Sequence, residues 1–338
     1  MGIKCAKLFD FCYYRGMKKR LLSGIQPSGT LHLGNYFGAI KQFVDLQDKY
    51  DTSIFIADFH AMTTVQDPKV LNDNTMNVAM DYLACGLDPK KVTLFRQSDI
   101  PEVAELTWYF NCLTTMPFLE RATAYKDAGA KAKEINVGLF DYPVLMASDI
   151  LIQDADLVPV GADQKQHIEY TRDIAQKFNN IYGETFKLPE EYITKEVAIV
   201  PGTDGRKMSK SYGNTIPLFG TDEEIKKKVM SIVTDSKTPE EKKNPDKCNI
   251  YNIYKLFANT NEIKNLREKY ENGGLSYKEA KEMLYKKIIS FISEMREKRK
   301  EYEKNPELVK KILEEGKIKA KKIVEEKMSI IRKKVGIN

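Results

Sequence analysis

Arg20-Leu-Leu-Ser-Gly-Ile-Gln-Pro-Ser-Gly-Thr-Leu-His-Leu-Gly-Asn35 is the stretch whose reading decides the fold. Its first seven residues, through Gln26, read as a short buried strand, and Pro27-Ser28-Gly29 as the turn that ends it. From Gly34 to Tyr50 apolar residues recur at Tyr36, Phe37, Ile40, Phe43, Val44 and Leu46, close to a helical stripe. The order is strand, loop, helix. A helix N-terminus at such a junction offers unpaired N–H groups and a positive dipole end to phosphate. Gly34 removes the side chain that would obstruct a flat base lying on the backbone.

Outward from this stretch the pattern repeats. Residues 53–57 form a second apolar strand, Asp67-Pro68 opens a helix running to Cys85, and residues 92–96 form a third strand. Strands separated by helices of this length imply βαβ units and a parallel sheet. A helical stretch over 101–121, a polar loop over 126–136 and an amphipathic helix through Tyr142, Met146 and Ile150 come next. Residues 156–160 are strand-like and lead into a helix over 164–178, and a last strand over 196–200 precedes a loop over 201–214. Beyond Asp222 everything reads as helix. The expected fold class is α/β, a Rossmann-type parallel sheet over 18–217 followed by an all-helical unit over 218–338, with 101–140 a helical insert.

Composition narrows the class. The 338 residues are 42% hydrophobic, ordinary for a globular protein, and no window of 18 or more apolar residues suits a membrane span. Five cysteines are scattered without a C-x-x-C pair, which argues against a disulfide framework and a structural zinc site and for a reducing compartment. Residues 1–17 read as an extension: the apolar run 9–14 is short and broken by Asp10, and Met17 before Lys18-Lys19-Arg20 is an alternative start. The net charge of +6 is uneven. Residues 221–338 carry 30 Lys and Arg against 21 Asp and Glu, while residues 1–220 carry 24 against 27. A basic helical unit beside a near-neutral body fits a catalytic domain with a nucleic-acid-binding module, although Lys/Glu-rich helices also serve as plain solvated faces.

Two separated segments carry the chemistry, His32-Leu-Gly-Asn35 and Lys207-Met-Ser-Lys-Ser211. Either alone is a short string that chance supplies. Together they resemble the paired signature motifs of the class I aminoacyl-tRNA synthetases. Three longer runs, 23–35, Val160-Gly-Ala-Asp-Gln-Lys-Gln-His167 with its continuation to Asp173, and Gly205-Arg-Lys-Met-Ser-Lys-Ser211, resemble the bacterial tryptophan branch of that class. The resemblance covers roughly residues 20 to 338.

The resemblance implies in-line attack of an amino-acid carboxylate on the α-phosphorus of ATP, which arrives with Mg2+, followed by transfer of tryptophan to tRNA(Trp). Such chemistry needs positioning and charge neutralisation rather than a protein nucleophile. Lys207 and Lys210 are suited to pyrophosphate as point charges on flexible stems, and Gly202 and Gly205 would let their loop close and open. Gln26 and Asn35 would contact phosphates, with His32 acting less directly or as a helix cap. Pro27, Ser28, Gly34, Ser209 and Ser211 complete the expected ATP surface, Gly161, Ala162 and Asp163 would hold the ribose, and Ile199 and Met208 would border the adenine. The amino-acid pocket carries over onto Tyr142, Met146, Asp149, Ile150, Val158, Val160 and Gln164. Asp149 decides specificity, because an indole N–H only donates and a carboxylate only accepts. Tyr142 and Gln164 would take the α-ammonium, whereas Met146, Ile150, Val158 and Val160 also read as ordinary core.

Two departures from the family pattern stand out. Ala128 occupies a position that is lysine in many relatives, leaving Lys131 or Lys133 as substitutes, and Leu22 stands where a phenylalanine often faces the indole. His60, after the second strand, is expected near the substrate and His167 is expected to be structural. No protein-bound metal is expected. The resemblance further implies a homodimer and a cytoplasmic home, with no membrane or DNA partner. Competing readings are a tyrosine enzyme of the same fold, a nucleotidylyltransferase, and a synthetase paralogue that does not charge tRNA.

Overall fold

The computed structural model describes residues 18–27, 29–122, 125, 135–160, 165–192 and 200–337. Five strands, β1 (Arg20–Ile25), β2 (Asp51–Ile56), β3 (Val92–Arg96), β4 (Leu157–Pro159) and β5 (Glu190–Tyr192), form one parallel sheet in the order β3-β2-β1-β4-β5. The chain winds outward through β2 and β3, then returns to the other side of β1 through β4 and β5. That reversal opens a crevice beyond the C-terminal ends of β1 and β4, where ligands of such sheets collect. The α/β class expected from the sequence is the observed one.

The connecting segments are helical for local reasons. After β1 the chain forms α1, made of Leu33–Asn35, a widened π-helical turn Tyr36–Ile40 and Lys41–Leu46. Following β2 come a short helix α2 (Asp58–Ala61) and then α3 (Pro68–Ala84), whose N-cap Asp67 accepts from the N–H groups of Lys69 and Val70. Beyond β3 lie α4 (Glu102–Asn111) and α5 (Met116–Leu119). The single helical stretch expected over 101–121 is thus two helices. A break over residues 112–115 separates them, and Pro117, which has no N–H with which to continue a helical ladder, sits in the first turn of α5. Helix α6 (Val137–Ile152) precedes β4, and α7 (Lys165–Tyr182) precedes β5.

Past the sheet come α8 (Asp222–Met230), α9 (Asn249–Tyr254), α10 (Thr260–Asn272), α11 (Tyr277–Lys304) and α12 (Pro306–Val335). Capping boxes Thr221/Glu224, Asn259/Glu262 and Ser276/Glu279 fix three of their starts. These helices share a hydrophobic core with the sheet, one cluster running from Ile54 and Leu94 through Val229 and Tyr251 to Ile288 and Leu313. Helix α12 turns back and lies along β3, its Gly316 so close that a Cβ there would sit 1.8 Å from the Leu94 carbonyl oxygen. Lys327 Nζ to Asp154 Oδ1 at 2.9 Å and Arg332 Nη2 to Glu105 Oε2 at 2.6 Å fasten its far end.

Of the strand expected over 196–200, only Val200 lies within the described residues. Among the described residues the fifth strand of the sheet is Glu190–Tyr192. Among the described residues, no helix is long and apolar enough to cross a membrane.

Candidate active site

The crevice holds a cavity of about 300 Å³. Strand β1 and its exit contribute Leu22, Ser23, Gly24, Ile25 and Gln26, β4 and its exit contribute Val158, Pro159 and Val160, and α6 contributes Tyr142, Met146, Asp149 and Ile150. His60 from α2 and Phe55 from β2 close the remaining side. Every described residue expected at the amino-acid pocket therefore lines one cavity. Gln164 lies outside the described residues. Phe55, which the sequence reading did not single out, puts an aromatic ring on the same wall as Leu22. Phe55 pairs in register with Gly24 and packs so close that a Cβ on Gly24 would come within 3.2 Å of its ring. The π-helical turn in α1 exposes Gly38 and Ala39 to the same cavity.

Asp149 is the polar centre of this apolar enclosure, with 4% of its surface exposed. His60 Nε2 lies 3.0 Å from its Oδ2, and Gln97 Nε2 donates to both oxygens at 2.9 Å. Burial pushes the Asp149 carboxyl upward from the usual range, the hydrogen bonds from His60 and Gln97 pull it back, and the nearby Asp58 adds to the rise. Tyr142 pairs its hydroxyl with His167 Nε2 at 3.0 Å, and burial raises the phenol to about 12. His167 is thus structural in the sense expected, as the residue that orients Tyr142.

The two signature segments are bonded to each other. Leu33 N–H donates to the Ile216 carbonyl at 3.0 Å, Leu218 N–H donates to the Leu31 carbonyl at 2.9 Å, and His32 bridges Pro217 in antiparallel fashion. The chain leaving the lysine-bearing loop is therefore stitched to the start of α1. Met208 is buried, and its Sδ accepts the Gly34 N–H at 3.3 Å. Asn35 Oδ1 accepts the His32 N–H at 3.0 Å, so the Asn35 amide group is oriented with Nδ2 as its remaining donor. Buried His32 is held down to about 4 by desolvation and by the Lys210 charge, which keeps it neutral beside the lysine-bearing loop. Desolvation also lowers the Lys210 ammonium, with the Asp81 carboxylate opposing.

Within the loop, Asn214 is the organising side chain, another residue that motif reading passed over. Its Nδ2 donates to Asp204 Oδ1 at 2.7 Å and to the Lys207 carbonyl at 3.1 Å, while its Oδ1 accepts Ser209 N–H at 2.8 Å. Ser209 and Ser211 pair their hydroxyls at 2.9 Å. Gly205 has φ +85° and needs its freedom. Gly202 is required for a different reason from hinge motion: a Cβ there would fall 2.2 Å from Asn214 Nδ2. Gln26, at the exit of β1, lines the cavity, and Pro27 follows it in the chain. Ser28, Gly161, Ala162, Asp163 and Ile199, together with Ala128, Lys131 and Lys133, lie outside the described residues. Among the described residues no cluster of His, Cys, Asp and Glu suits a metal ion.

Comparison with known proteins identifies relatives along almost the whole chain. A family model described as tRNA synthetases class I (W and Y) matches residues 16–293. The tryptophan–tRNA ligase of Fusobacterium nucleatum subsp. nucleatum is 55% identical over 320 residues, covering 94% of this chain and 98% of that one. The Campylobacter jejuni (strain RM1221) tryptophan–tRNA ligase is 49% identical over 318 residues, covering 94% and 100%. Among solved structures, the Campylobacter jejuni tryptophanyl-tRNA synthetase complexed with ADP and tryptophan matches with a TM-score of 0.89 at 49% identity, over 94% of this chain and 100% of that one. The chain belongs to the class I aminoacyl-tRNA synthetases, in the family that comprises the tryptophan and tyrosine enzymes.

Proposed function

We propose that the chain is a tryptophan–tRNA ligase, which activates L-tryptophan with ATP to tryptophanyl-adenylate and pyrophosphate and then transfers tryptophan to the 3′-terminal adenosine of tRNA(Trp). One observation carries the reading: a buried carboxylate, Asp149, lines a mostly apolar cavity walled in part by β1, the strand that leads into the two joined signature segments. An indole N–H satisfies that carboxylate, and a phenyl ring leaves it without the ligand's donor.

The geometry supports a division of labour. Tryptophan would lie with its indole between Phe55, Met146 and Val158 and its α-ammonium near Tyr142, whose oxygen is turned by His167. ATP, as its magnesium complex, would lie across Gly34 and Met208, with phosphates toward Gln26, Asn35 and the ammonium groups of Lys207 and Lys210. The tryptophan carboxylate then attacks the α-phosphorus, the bond to the pyrophosphate oxygen breaks, and the lysines neutralise the leaving charge. The basic helices beyond residue 222 are proposed to hold tRNA through its phosphates, so binding should weaken steeply with salt.

A homodimer is part of the proposal, supported by Trp108 and Met116 on α4 and α5, exposed at 67% and 61% within the 101–140 region. Cys85, Cys112 and Cys248 are free thiols, in keeping with a cytoplasmic setting. Charging of a tRNA(Trp) transcript with labelled tryptophan tests the full reaction. The reading expects tryptophan on that transcript and none on a tRNA(Tyr) transcript, and charging of tRNA(Tyr) with tyrosine would overturn it.

A further inference from the structure

Gln97 has 1% of its surface exposed, opens the short 3-10 turn Gln97–Asp99 after β3, and is absent from the wall of the cavity. A polar side chain so deeply buried must have its hydrogen bonds answered. Its Nε2 reaches both oxygens of Asp149, and its Oε1 accepts the backbone N–H of His60 at 3.3 Å. The second contact fixes the amide: a flip would set oxygen against carboxylate and an N–H against an N–H. We propose that Gln97 is a positioning residue for amino-acid selection, holding the Asp149 carboxylate in the one rotation that leaves a lone pair directed at an indole N–H. The inference rests on the tryptophan reading above and deepens it.

The turn that carries Gln97 is itself anchored on both sides. Asp99 accepts from Arg96 N at 3.0 Å, Nε at 3.1 Å and Nη2 at 2.7 Å. Ser98 donates its N–H at 2.9 Å and its hydroxyl at 2.5 Å to Asp58. Gln97 therefore cannot follow Asp149 if the carboxylate turns. A carboxylate offers about four lone-pair positions. Gln97 and His60, with Nε2 carrying the proton, take the inward ones, and Oδ1 keeps one for a ligand in the cavity.

The same contacts bear on charge. The titratable groups acting on Asp149 are His60 and Asp58 of α2, Tyr142 of its own helix packs edge-on against His60, and Arg96 is engaged by Asp99. Burial and Asp58 favour the protonated carboxyl, and Gln97 and His60 favour the carboxylate, which is the stronger acceptor. Without Gln97 the acid limb of tryptophan activation should move to higher pH, a change that a merely structural residue would not produce.

The test uses the full chain in tryptophan- and phenylalanine-dependent exchange of pyrophosphate into ATP across pH, with Gln97→Leu and Gln97→Glu. Gln97→Leu is expected to lower kcat/KM for tryptophan by about tenfold or more, mainly through KM, as for a lost hydrogen bond to a charged group. The KM for ATP should hold, the preference over phenylalanine should shrink, and the acid limb should shift upward. Gln97→Glu can donate only when its introduced carboxyl is protonated, so its activity should recover as pH falls, opposite to the wild type. That crossing of profiles decides the matter even if Gln97→Leu does not fold. An unchanged tryptophan-to-phenylalanine ratio with an unshifted acid limb in Gln97→Leu, or no acid recovery in Gln97→Glu, overturns the proposal while leaving the ligase reading in place. A wild-type chain that shows no tryptophan-dependent exchange overturns both.

Discussion

Gly34 donates its backbone N–H to the Sδ of Met208 at 3.3 Å, which joins two segments 174 residues apart. The contact depends on the missing side chain: a Cβ on Gly34 would lie 2.9 Å from His32 Nδ1 and 3.3 Å from Met208 Cβ. Gly34→Ala should therefore spread the two segments and obstruct the nucleotide. Overpacking of this kind costs about 1–3 kcal/mol, which should appear as a rise of roughly tenfold in the KM for ATP with tryptophan affinity unchanged. An unaltered KM for ATP would remove the nucleotide from this surface.

Lys210 is partly desolvated and faces the same loop as His32. Its charge should matter most when pyrophosphate departs. Lys210→Ala is expected to slow adenylate formation by about 10²–10³, the usual cost of removing one preorganised donor to developing charge. Tryptophan binding by calorimetry should change little. If exchange kinetics stay at the wild-type rate, Lys210 has no role in the chemical step.

Asp149→Asn keeps the size of the side chain and removes its acceptor-only character. The new amide must direct an N–H at Gln97, His60 or the ligand, all of which donate. Tryptophan kcat/KM should fall by about 10² or more while phenylalanine activation changes far less, because unpaired buried polar groups dominate such discrimination. Parallel losses for both amino acids would point to a packing defect instead.

Gly316→Ala separates packing from propensity by sign. In a helix free of tertiary contact, alanine would stabilise by about 1 kcal/mol. Here its Cβ would run into the Leu94 carbonyl, which is backbone and cannot move aside. The melting temperature should fall by several degrees, and a rise would show that α12 does not lie on β3.

The sheet was legible where strands are apolar and flanked by turn residues, as at β1, β2 and β3. Strand β5 was not, because Glu190-Glu191-Tyr192 lies at the sheet edge, half exposed, and its residues carry no alternation. The return of α12 also escaped the pattern. A helix periodicity reports an apolar face and not what that face meets, and only Gly316 hinted at a close approach. At the site, Asp149 and Tyr142 were reachable from the family resemblance, and His60 from its place after the second strand. Gln97 and Asn214 were not singled out, since a buried amide gains its meaning from the atoms it touches, and those are 52 residues away for Gln97. Phe55 reads in the sequence as one more strand residue, and only its place opposite Gly24 and on the cavity wall distinguishes it.

The most direct test of the account is exchange of labelled pyrophosphate into ATP by the wild-type chain, with each amino acid offered in turn. The account predicts exchange with tryptophan and at most a trace with tyrosine or phenylalanine. Exchange driven by tyrosine, or none with any amino acid, would contradict it.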